Sequence, residues 1–191
     1  MPKVVDVEKQ RREILFQCFD LFAQKGYANV TTRQLCQEIG VSTGALYYYF
    51  PSKKVLFEQL VDEISRQDVL LLKQATGETL AERIEALGQI LIEHEAHFIK
   101  QAIIWIDFYQ HNDAKEIQAN PIFQQVDDRY QQSMTDLLGI QAPKTARFVW
   151  TLINGVLIEQ VGSDQLSFAE QIDLLMQMLI AYFEKNRGAI A

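Results

Sequence analysis

The chain is poor in the residues that staple, break or anchor a protein. It has two cysteines in 191 residues, Cys18 and Cys36, set 18 positions apart inside apolar, periodic segments. That number and spacing exclude a disulfide framework and a zinc-ligand pattern, so reduced, buried thiols are expected. Four prolines and nine glycines are too few for a fibrous or low-complexity chain. No apolar run approaches the roughly 18 residues that cross a bilayer. The opening MPKVVDVEKQRRE is charged and has no apolar block of the secretory kind. A soluble, cytoplasmic protein without membrane contact is the expectation. The chain also has no Gly-rich phosphate loop, no G-x-S-x-G elbow and no carboxylate pair. No catalytic residue, no cofactor and no enzymatic activity are expected. The run EHEAH offers His94 and His97 three apart, but a third ligand is lacking, so it reads as a solvated polar face and no metal site is expected.

What charge there is divides unevenly. Residues 1–66 carry nine Lys and Arg against eight Asp and Glu, whereas residues 67–191 carry nine against seventeen. The acidity of the chain therefore belongs to its C-terminal two-thirds, leaving the N-terminal third able to approach a polyanion.

Nearly every segment has the period of a helix. Ile14, Cys18, Leu21 and Phe22 share one face, and Gly26 stops that helix. Thr31 with Gln34, Thr79 with Glu82 and Ser167 with Glu170 have the spacing of capping boxes. Ser42 or Thr43 caps a short helix ending near Tyr49, where Pro51 forces a break. Ser52 opens a long helix from Lys53 to about Lys73, with Val55, Leu56, Leu60 and Ile64 inward. Further helices are expected from Thr79 to about Glu95, from Phe98 to Gln110, from Asn120–Pro121 to Leu138, from Pro143 to Val161, and from Ser167 to about Lys185. No alternating stretch is long enough for a strand. The fold class is all-α, with about nine helices.

Between Thr31 and Tyr49, two short helices flank a glycine turn, the proportions of a helix-turn-helix. Leu35 and Ile39 pack the first helix, Val41 fills the turn, and Leu46 and Phe50 hold the second. Thr43, Gly44, Ala45, Tyr47, Tyr48 and Tyr49 are left outside that packing. Small residues at the start of the second helix would let it approach a groove floor, and its first amides favour phosphate.

The stretch GYANVTTRQLCQEIGVSTGALYYYFPSKKVLFEQL resembles the DNA-binding region of TetR-family transcriptional regulators, with the likeness covering about residues 9–60. It implies an N-terminal helix-turn-helix domain at 1–54, joined through the helix at about 53–73 to a helical ligand-binding and dimerisation domain at 55–191. It further implies a double-stranded DNA operator as partner, and release of a dimeric repressor by a small molecule. A constitutive DNA-binding regulator and an activator remain alternatives. By the same resemblance Thr32, Ser42, Thr43, Tyr47 and Lys53 would meet phosphate, with Arg33 at the DNA-facing end. Gly44 and Ala45 would approach bases, where the Ala45 methyl could meet a thymine methyl. Tyr49 stands where many members carry histidine, and by the resemblance it would also bind DNA, its hydroxyl offered to phosphate. Tyr48 stays open between base edge and core.

For the C-terminal part, the resemblance implies a chamber for an apolar or amphipathic ligand and a homodimer through the last two long helices, at about 143–161 and 168–185. Candidate chamber residues are Trp105, Phe108, Tyr109, Phe123, Tyr130, Met134, Trp150 and Asn154, since apolar walls with a few polar groups suit small molecules. Plain core is the competing reading for each. Asp107 and His111, four apart, read as a surface helix pair. In the last helix Ile172, Leu175, Leu179 and Phe183 make one stripe, and Leu174, Met178 and Tyr182 widen it beyond what a single packing face needs. Gly155 would allow a close helix crossing.

Overall fold

The structure, a computed structural model, describes residues 7–139, 143–162 and 165–186. Among these residues there are ten α-helices and no strand. They are α1 (Val7–Lys25), α2 (Thr32–Ile39), α3 (Thr43–Tyr49), α4 (Lys53–Leu72), α5 (Leu80–Glu93), α6 (Glu95–His111), α7 (Ala114–Ala119), α8 (Pro121–Leu138), α9 (Pro143–Gly162) and α10 (Phe168–Lys185). No helix among the described residues is long and apolar enough to cross a membrane.

The helix starts follow local chemistry. All three capping boxes form: the side chains of Thr31, Thr79 and Ser167 each accept the amide three residues on, and Gln34, Glu82 and Glu170 return the bond. Those two hydrogen bonds satisfy donors a helix start would otherwise leave open. Ser42, not Thr43, caps α3, accepting Ala45 N–H at 3.1 Å. Ser52 Oγ accepts Val55 N–H at the start of α4. Gly40 stops α2 at φ 72°, a left-handed conformation that costs a side-chain-bearing residue about 1–2 kcal/mol.

One helix was not foreseen. Asp113 caps α7 by accepting the amides of Lys115 and Glu116 at 2.8 and 3.2 Å. The helix has six residues and buries only Ile117, too little to display a period.

The chain packs as two compact units. The first takes residues up to Ile64 together with Ile103–Gln125, and the second takes Ser65–Ala102 with Val126 onward. Helices α4, α6 and α8 contribute to both. The first unit holds an aromatic core: Phe57 stacks on Phe108 with centroids 4.1 Å apart, and Tyr27, Phe22, Trp105 and Phe123 meet that pair edge-on or tilted. In the second, α5 lies along α10. A Cβ on Gly88 would stand 2.8 Å from Met176 Cγ, so the two helices cross as closely as they do because position 88 has no side chain.

Burial also fixes the acids of these cores. The Cys18 thiol is pushed from 9.0 up to about 12, mainly by desolvation, with Cys36 adding to it. Tyr27 is raised by burial and then Glu58, and Tyr130 by burial and then Asp68. In each case the unfolded chain releases the proton first. The stability these groups contribute is therefore complete below their unfolded values and is lost as pH climbs toward the folded ones. Unfolding free energy is expected to be level near pH 8 and to fall from about pH 9 upward. Urea titrations at pH 8, 10 and 11 check this; a midpoint unchanged at pH 11 would contradict it.

Candidate nucleic-acid interface

The segment from Thr31 to Lys53 lies within the first unit. Leu35, Leu46 and Phe50 are buried there and hold α2 and α3 from beneath. With those anchors inside, the outer face of α3 follows from the helical period. Ser42, Thr43 and Gly44 are exposed, Ala45 is half-buried, and Tyr47 and Tyr48 are 47% and 74% exposed. A hypothetical Cβ on Gly44 meets nothing within 4 Å, so the start of α3 is open to an approaching surface. On α2, Arg33 is exposed and Thr32 half-buried.

The three tyrosines separate. Tyr47 and Tyr48 point to the exterior, whereas Tyr49 is turned back onto α1, its hydroxyl donating to Gln10 Oε1 at 2.9 Å. Tyr48 leans edge-on against Tyr49, centroids 5.1 Å apart. That contact holds one ring of the exposed pair without burying it. Beneath, Arg11 donates to Gln59 Oε1 and lies 5.9 Å from the Phe50 ring, tying α1 to α4. The reading face thus stands on a scaffold joined by polar bonds as well as apolar packing.

The resemblance implies a phosphate-facing Lys53. Its Nζ donates to the carbonyls of Tyr27 and Val30 at 2.8 and 2.9 Å and lies 4.4 Å from the centre of the Tyr27 ring. Burial lowers the pKa of this ammonium, and the nearby Asp107 works against that shift. Asp107 and His111 do pair on α6, at 3.4 Å, but Asp107 is mostly buried and also accepts Ala28 N–H at 3.0 Å. Neither role carries a local sequence signal.

The eight candidate chamber residues fall into both units. In the first, Trp105, Phe108 and Phe123 belong to the aromatic core, and exposed Tyr109 stacks on Trp105 at 5.3 Å. In the second, Tyr130 stacks on Trp150 at 4.4 Å, Met134 is buried, and Asn154 Nδ2 donates to Trp150 O. Tyr130 also donates to Asp68, which is fully buried and takes Gln101 Nε2 at 2.9 Å and His97 Nε2 at 2.6 Å. His97 is therefore the partner of an interior carboxylate, not part of a solvated face, while His94 closes α5. Among the described residues no group of three or more His, Cys, Asp or Glu could hold a metal ion.

The wide stripe on α10 divides into two faces. Ile172, Leu175, Leu179 and Phe183 are buried, while Leu174, Met178 and Tyr182 are 54%, 63% and 49% exposed. The outer three, with Phe148, Leu152 and Val156 of α9, line an apolar groove of about 630 Å³. Gly155 is exposed and meets nothing within its own chain.

An all-helical chain whose N-terminal unit offers a capped, outward-facing second helix is a helix-turn-helix protein. Residues 14–60 match the family model of bacterial regulatory proteins of the tetR family. Residues 14–60 thus carry a TetR-family DNA-binding region. The nucleoid occlusion factor SlmA of Haemophilus ducreyi is 41% identical over 66 residues, 35% of this chain and 33% of that protein. The match thus spans about a third of that relative's length. Solved structures extend the likeness in fold. One described as a TetR-family regulator from Rhodococcus sp. superimposes with a TM-score of 0.75 at 17% identity, covering 91% of this chain and 98% of the other. A transcriptional regulator from Saccharomonospora viridis, in complex with choline, does so with a TM-score of 0.64 at 24% identity, covering 94% and 97%.

Proposed function

We propose that the chain is a dimeric regulator that grips a palindromic operator through two copies of α3 and lets go when a small molecule binds its second unit. The observation that carries the DNA reading is the outer face of α3, where small residues at the helix start are followed by two exposed tyrosines. Thr43, Gly44 and Ala45 would approach base edges; Thr32, Arg33, Ser42, Tyr47 and Tyr48 would meet the backbone, the hydroxyls as donors to phosphate oxygens. Tyr49 would position α3 from behind through Gln10. The exposed α9–α10 groove supports a second copy as partner, because an apolar face that meets its own two-fold copy closes a dimer, and dimeric helix-turn-helix proteins hold their reading helices about 34–36 Å apart.

Ligand control is supported by the fold shared with a regulator crystallised with choline. Release requires that the ligand favour the conformation that does not bind DNA, so DNA must weaken the ligand by the same factor. A constitutive regulator is favoured by one feature, the tight mutual packing of Trp105, Phe108 and Phe123, which leaves those three as core. A gel shift on the DNA upstream of the chain's own gene, with and without a panel of metabolites and drugs, separates the readings. A shift abolished by one compound supports ligand release. A shift that no compound alters favours constitutive binding, and no shift on any duplex removes the DNA reading.

A further inference from the structure

The turn between α1 and α2 is short, exposed at Ala28 and Asn29, and rich in backbone groups that no helix satisfies. Three of these groups are met by side chains from distant helices. Lys53, the first residue of α4, donates to both Tyr27 O and Val30 O. Asp107, on α6, accepts Ala28 N–H at 3.0 Å. The Tyr27 side chain, inserted among Phe22, Phe57 and Phe108, holds the same turn from below and presents its ring to the Lys53 ammonium. The chain leaves this turn at Val30 and enters the Thr31 capping box that starts α2. A shift of the turn is thus passed directly to the helix-turn-helix.

We propose that Lys53 and Asp107 form a clamp on the α1–α2 turn, and that Lys53 acts on DNA binding by positioning this turn and not by contacting phosphate. The proposal rests on the DNA-binding reading above. Both residues are positioning residues. Asp107, being anionic, repels phosphate, so its removal alone would favour DNA, and a loss of DNA affinity in its absence must pass through structure. Two of the three N–H groups of this ammonium are taken by carbonyls and it faces the Tyr27 ring; turning it away to phosphate would leave the two carbonyls of the turn without that donor.

Two measurements test the clamp on the full chain. The first is anisotropy titration of Lys53→Met, Asp107→Ala and Asp107→Asn on a labelled duplex from the DNA upstream of its own gene, between about 50 and 200 mM NaCl. Lys53→Met and Asp107→Ala are each expected to weaken binding about tenfold, the size of one or two lost hydrogen bonds. Asp107→Asn, which keeps an acceptor for Ala28, should lose less. The slope of log affinity against log salt should match the wild type in all three. A slope shallower by about 0.9 in Lys53→Met, the signature of one lost phosphate contact, together with wild-type binding by Asp107→Ala, overturns the proposal. The second is amide exchange at Ala28, which needs no DNA and also serves if Asp107→Ala does not fold, since Asp107→Asn and Lys53→Met can be read instead. Faster exchange in Lys53→Met supports the clamp, and unchanged exchange overturns it. If the wild type binds no duplex, the DNA-binding reading falls while exchange still decides the clamp.

Discussion

Met178→Glu is expected to give a folded, monomeric protein whose affinity for its operator has dropped at least about 100-fold. Met178 is 63% exposed on α10, and it sits between Leu174 and Tyr182 on the outer face. A carboxylate there remains in water while the chain is alone, so the monomer loses little by folding with it. In the proposed two-fold dimer the same position would be covered by the partner, and each interface would bury two uncompensated charges near one another. Truncating such an interface costs several kcal/mol, enough to move a micromolar dimer to monomer. The DNA effect follows because a dimer engages two half-sites as one event, and the second engagement is worth a factor of 10²–10⁴ without any new contact. Sedimentation, circular dichroism and operator titration check the three parts. A variant that stays dimeric would place the interface elsewhere; a monomer that binds DNA as well as wild type would show that one α3 suffices.

That α10 stripe was readable from sequence because helical period reports burial, and the residues that widen it beyond one packing face are the exposed ones. The capping boxes were readable for a similar reason: both halves lie three residues apart, so the whole interaction is local. The same locality explains the misses. Asp107 meets Ala28 across 79 positions, and Lys53 meets Tyr27 across 26. No spacing rule joins such pairs, and for the lysine at the head of α4 the resemblance offered only phosphate as a partner. Tyr48 stayed ambiguous because adjacent helical residues diverge by about 100°, which left its side undecided between two faces. His97 was assigned to solvent because its own segment is polar; the carboxylate that draws it inward stands on another helix. Asp113 and α7 show the lower limit of pattern reading, a helix too short to repeat.

The buried carboxylate is also where the largest loss of stability is expected. Asp68 is fully buried on α4, and its oxygens receive Tyr130 Oη from α8 and Gln101 Nε2 and His97 Nε2 from α6. Gln101 donates to Tyr130 Oη as well, at 2.8 Å, so the four side chains form one network. Among the described residues no buried side-chain nitrogen or oxygen lacks a partner. Asp68→Ala leaves the proton of the buried Tyr130 hydroxyl without its acceptor, removes one of the two acceptors of the buried Gln101 amide, and takes the carboxylate from His97. Breaking a buried polar pair from one side costs about 3–5 kcal/mol, more than an exposed cap or surface pair of this chain could contribute. For a chain of this length each kcal/mol is worth roughly 2–4 °C, so the melting temperature should fall by on the order of 10 °C. Asp68→Asn keeps an acceptor for Tyr130 and should lose less than half of that. Differential scanning calorimetry of both variants against wild type decides the matter. A drop for Asp68→Ala within about 1 °C would mean that water already serves these donors and that the network does not hold the second unit together.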